Sequence, residues 1–236
     1  MAWKIIRSQD GKIWAGLLLI GLIGGGVWGF LSLKRSQTLD QFFRENKRLK
    51  KAVANLIHED QIGYAKVVKQ DKQKGTLHTT LKFFETARNN KDRTVLSKEY
   101  TIEGDIVYFD ALIVKFDSSM IMDGRQRSLY LWRRIYGENM APSKGYEIEP
   151  AGKEPRRYEG FMGEEPLWKK LLGHPPDSER FWKAIWDPSN NPDKLKKYGI
   201  TAIYGNAVYK KLKPGFIYVF KISNTGEVYP ETVPDM

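Results

Sequence analysis

The sequence predicts an α+β protein dominated by antiparallel sheet, with one membrane-spanning helix ahead of it. Three observations carry that expectation: an uncharged apolar run at 13–33, a heptad pattern just after it, and a change to period-two alternation from Gly63 onward. The expected order is a short basic tail (1–12), a spanning helix (13–33), an amphipathic or coiled-coil helix (34–62) and a β-rich domain (63–236).

The run from Ile13 to Leu33 reads IWAGLLLIGLIGGGVWGFLSL, 21 residues without a charge, and about twenty suffice to cross a bilayer core. Trp3, Trp14 and Trp28 fall near its ends, at the depth amphipathic rings prefer. The run exceeds the apolar core of a cleavable signal and no small-residue cleavage pattern follows it, so it reads as an uncleaved anchor. Gly21, Gly25 and Gly29 recur every four residues, a spacing that lets two helix backbones approach closely.

After the run, Thr38 and Gln41 make a capping-box start. In heptad notation Leu39, Asn46, Val53 and Asp60 occupy position a, and Phe42, Leu49 and Leu56 occupy position d. Such a seam pairs two parallel helices; an asparagine at a fixes register, and Glu45 at g meets Lys50 at e of the partner. The same residues could instead turn Phe42, Leu49, Val53 and Leu56 onto the chain's own domain. Lys47, Arg48 and Lys51 sit on the solvated back of the helix under either reading.

From Gly63 the side chains alternate. Tyr64, Ala65 and Val67 begin a short strand; Leu77, Thr79, Leu81 and Phe83 mark the next; RTVLSKEYTI and, after a Glu103-Gly104 turn, DIVYFDALIVKF follow. The last is apolar on both faces, which places it centrally in a sheet. RSLYLWRRIYG continues the series, with Tyr130, Trp132 and Tyr136 on one side by strand alternation. Residues 140–173, rich in Pro, Gly and Glu, read as a long connection with little regular structure. Asp177 or Ser178 caps a short helix with an apolar stripe of Phe181, Trp182, Ile185 and Trp186. A further short helix opens at Asn191-Pro192, and turns at Pro214-Gly215 and Asn224-Thr225-Gly226 set out a C-terminal hairpin.

Composition narrows the function. The chain is 41% hydrophobic, 13% aromatic and 28% charged, values of a folded globular protein. It has no cysteine, so thiolate metal sites and cysteine nucleophiles are excluded. His58, His78 and His174 match no metal-ligand spacing, and no nucleophile-elbow, zinc-protease, phosphate-loop or dinucleotide motif is present. No cofactor is expected. The residue that stands out is Asp110, which interrupts an apolar strand, where a carboxylate needs a partner or a raised pKa. Arg133 or Arg134 on the next strand is the natural mate; failing that, Asp110 could serve as an acid or base.

The net charge of +11 favours anionic partners. Three basic residues precede the apolar run and seven follow it closely, a bias toward a cytoplasmic domain. A short basic tail before a single span instead fits a signal anchor with its domain outside, the orientation expected here. The sequence therefore predicts a bilayer-anchored scaffold or adaptor, homodimeric or otherwise homo-oligomeric, meeting other envelope proteins. Nucleic acid or anionic lipid would be the partner only of a cytoplasmic domain, and an envelope enzyme using Asp110 is the remaining alternative.

Overall fold

A computed structural model describes residues 41–87, 90–159, 178–187, 195–196 and 198–235. The chain divides into two compact units, Met1–Lys50 and Lys51–Met236. Helix α1 covers 41–57. Strands β1 (Glu59–Gln73), β2 (Thr76–Ala87), β3 (Asn90–Glu103) and β4 (Ile106–Phe116) follow in turn. After them come helix α2 (Ser118–Met122), β5 (Leu129–Gly137), a 3₁₀ turn (Pro142–Lys144), β6 (Tyr146–Glu147) and α3 (Arg156–Glu159). Helix α4 (Ser178–Trp186) and strands β7 (Ile200–Lys211), β8 (Phe216–Ser223) and β9 (Val228–Pro234) complete the order.

The strands form two antiparallel sheets, one of order β3-β2-β1-β8-β9 and one of order β6-β5-β4-β7. Their inner faces share one core. Ile62, Leu81, Phe83 and Phe220 from the first sheet meet Phe109, Ile113, Tyr130 and Trp132 from the second. The outer face of the four-stranded sheet carries a second core, in which Val114, Phe116 and Leu131 lie under Phe181, Trp182 and Ile185 of α4. Strand β4 is apolar on both sides because both sides are covered, one by a sheet and one by a helix.

Several expectations are corrected. The described part of the protein is a β-rich domain of antiparallel sheets rather than an α+β fold, and among the described residues no helix is long and apolar enough to cross a membrane. The run 13–33, with Gly21, Gly25 and Gly29, lies outside the described residues, as does Leu39. Helix α1 ends at 57 rather than 62, because Asp60 and Ile62 are drawn into β1 and buried there. Asn224 secures the change of direction: its N–H donates to His58 O (3.0 Å) and its Nδ2 to Asn55 O (2.6 Å).

The connection from 140 is ordered where it is described, holding the 3₁₀ turn, β6 paired to β5, and α3. Strands β7 and β8 do not form a hairpin; the turn at Pro214-Gly215 carries the chain from one sheet to the other, and the true C-terminal hairpin is β8–β9. Tyr136 does not share a side with Tyr130 and Trp132. Strand β5 has a β-bulge: Asp110 lies opposite Arg134 and Ala111 opposite Trp132, so Arg133 has no partner on β4. Beyond an extra residue the alternation reverses.

Candidate functional site

The bulge decides what surrounds Asp110. Consecutive strand residues ordinarily point to opposite faces, yet Arg133 and Arg134 both reach the outer face of the four-stranded sheet. Arg133 Nη2 donates to Asp110 Oδ1 at 2.7 Å, and Arg134 Nε lies 3.6 Å from Oδ2. Both carboxylate oxygens of the buried Asp110 are thus held by guanidinium groups. Arg134 Nη1 also donates to Pro142 O at 2.7 Å, tying the 3₁₀ turn to the strand. Across the sheet, Gly205 of β7 leaves the room Arg133 occupies: a Cβ there would stand 2.5 Å from Arg133 Nη2.

These arginines floor a groove of about 720 Å³. Its floor also includes Leu112 and Gly205, and Trp186, Lys196 and Ile203 are among its walls. On the same face, two residues along from Arg134 and Asp110, Tyr136 stacks on Tyr108 across β5 and β4 and Tyr209 of β7 packs at a tilt on its other side, with ring centroids 5.0 and 5.5 Å apart.

A second charged cluster lies deeper, between the sheets' ends and the connection. Arg157 of α3 is fully buried and donates to four acceptor atoms: Glu85 Oε1, both oxygens of Glu149 (2.5 and 3.0 Å) and Tyr130 O. Its guanidinium lies over the Tyr130 and Tyr158 rings, 4.1 and 4.8 Å from their centroids. Glu149 Oε2 accepts from Trp132 N as well, at 2.9 Å. Burial, reinforced by the nearby Glu149 charge, pushes the Glu85 carboxyl up to about 8 against the pull of Arg157. Near neutral pH the cluster therefore favours the protonated form of Glu85.

A third pairing fixes the start of β1, where buried Asp60 sits 3.1 Å from His58 Nε2 and 3.5 Å from Arg127 Nη1. Among the described residues no group of three or more histidine or acidic side chains could hold a metal ion.

Helix α1 presents most of its seam to solvent. Phe42 is 62% exposed, Leu49 54% and Val53 54%, and Asn46 is exposed too. Leu56 is half-buried while Ile57 is 71% exposed, so the open stripe runs 42-46-49-53-57 and leaves position d in its last turn. Ala52 is buried instead, and Asn55 Nδ2 donates to Met122 O at 2.8 Å.

Glu85, Glu149 and Arg157 are not among the residues the sequence singles out. Glu85 carried a readable signal: by alternation it lies on the same face as Leu81 and Phe83, so it had to point inward. Arg157, in a stretch without periodicity, carried none. No protein-family model, curated protein or solved structure matches this chain.

Proposed function

We propose that this chain is a self-associating interaction module, two copies of which pair through helix α1. The observation that supports this is the stripe of Phe42, Leu49, Val53 and Ile57, apolar side chains more than half exposed on a helix whose Ala52 is buried. A second copy suits that stripe because Asn46 lies within it and Glu45 and Lys50 flank it with opposite charges, the pattern that aligns parallel helices. Lys47, Arg48 and Lys51 lie on the back of the helix, away from the pairing line. Asp110 has no acid or base role in this reading, since both its oxygens are held by arginines.

Sedimentation velocity on the full-length chain tests the proposal. The wild type is expected to shift from monomer to dimer with concentration, and Leu49→Glu with Val53→Glu to remain monomeric at an unchanged melting temperature. A wild-type chain that stays monomeric up to roughly 100 μM, where even a weak dimer would form, sinks it.

A second reading is favoured by the five cations against one acid in 41–57: α1 could lie along an anionic polymer or lipid surface. Its mark is affinity that falls steeply with salt, whereas apolar pairing is insensitive to moderate salt.

A further inference from the structure

We propose that the groove on the outer face of the four-stranded sheet binds an organic monoanion, a carboxylate carried on an apolar body, through Arg133 and Arg134. At about 720 Å³ the groove falls within the size range of small-molecule sites.

Charge selects the head group. The floor holds two guanidiniums and one buried carboxylate, Asp110, so one positive charge is left unbalanced. Around it, Lys196 and Asp187 are opposite in sign, Glu149 is matched by Arg157, and Glu147 is exposed at the rim, where water and salt screen it. A single uncompensated charge matches a carboxylate; a dianionic phosphate would exceed it. The planar fork of arginine also suits a planar carboxylate.

Geometry supplies the donors. Arg133 Nη2 is committed to Asp110 and Arg134 Nη1 to Pro142 O, but Arg133 Nε is buried and, among the described residues, has no hydrogen-bond partner. A buried donor left unmade costs free energy; Nε is closed to water as the side chain stands, so a ligand oxygen would meet it only when the Arg133 guanidinium shifts. The bulge that aims Arg133 into the groove and the missing side chain at Gly205 that accommodates it are both departures from regular sheet, of the kind that re-aim side chains at sites. Leu112, Ile203 and Trp186, all half-buried, offer the apolar body its contact.

A free fatty acid and the C-terminus of an apolar peptide share this chemistry. Calorimetric and ligand-observed NMR titrations of the full-length chain would use octanoate against octanamide, and an N-acetylated tri-leucine peptide against its C-terminal amide. At least one free acid is expected to bind about tenfold more tightly than its amide, a difference of about 1.4 kcal/mol, and the acid that does so identifies the source. Arg133→Met and Gly205→Val should each reduce that affinity by about tenfold or more, with circular dichroism reporting whether each variant folds. Should neither variant fold, the acid-to-amide contrast in the wild type decides. Equal affinity for acid and amide, no binding of either acid, or binding unchanged in folded variants would overturn the proposal.

Discussion

A guanidinium as deeply buried as that of Arg157 would cost several kcal/mol if it stood alone. Here it meets two carboxylates, a carbonyl and two aromatic rings. Two acids against one cation would leave a buried negative charge, and the raised pKa of Glu85 removes it by retaining a proton. The folded state thus binds a proton that the unfolded chain releases above the ordinary carboxyl range. Stability from this group is complete below about 4.5 and declines as pH rises toward about 8. The slope approaches about 1.4 kcal/mol per pH unit. Glu85→Gln, neutral throughout, is expected to flatten that slope in urea unfolding measured at pH 5, 7 and 9. Parallel curves for wild type and variant would show that Glu85 is ionised in the fold.

Strand β1 shows how an element depends on a single small residue. It pairs with β2 on one side and β8 on the other, and its register against β8 shifts between Gln61 and Gly63. At Gly63 a Cβ would stand 2.5 Å from the backbone oxygen of Phe84, so the strands could not approach as they do. Gly63→Ala is expected to destabilise the domain by about 1–3 kcal/mol, read from the urea midpoint; an unchanged midpoint would mean that β1 and β2 separate freely. Period-two alternation made strands legible here, and it failed where an extra residue intervened. Leu129 to Trp132 follow the pattern and Tyr136 does not, because nothing in LYLWRRIYG announces the bulge at Arg133. Pairing of Asp110 with arginine was readable from residue types alone. That both arginines share it depends on the bulge, and so was not.

At the scale of the molecule, one aromatic cluster holds the two sheets together. Phe83 and Phe220 of the first sheet meet Phe109 and Trp132 of the second, with ring centroids 4.5 to 6.0 Å apart. Phe220→Ala should cost about 3–5 kcal/mol and lower the stability of both sheets together. Far-ultraviolet and tryptophan signals would then report one coincident transition; separated transitions would mean that the sheets are independent. The β-rich class and the strand segments were legible because local pattern specifies them. The assignment of β7 and β8 to different sheets was not, since a turn such as Pro214-Gly215 has the same local chemistry whether it closes a hairpin or crosses between layers.

The Arg157 cluster also bears on how the chain reaches this fold. Its acids come from β2 and from the segment after β6, its cation from α3, so it cannot assemble until distant parts of the chain have met. A one-residue slip of β2 would turn Glu85 to the solvent face and leave Arg157 short of an acceptor. The buried charge therefore penalises misregistered folds, disfavouring sheets whose apolar faces fit tolerably but whose strands are out of step.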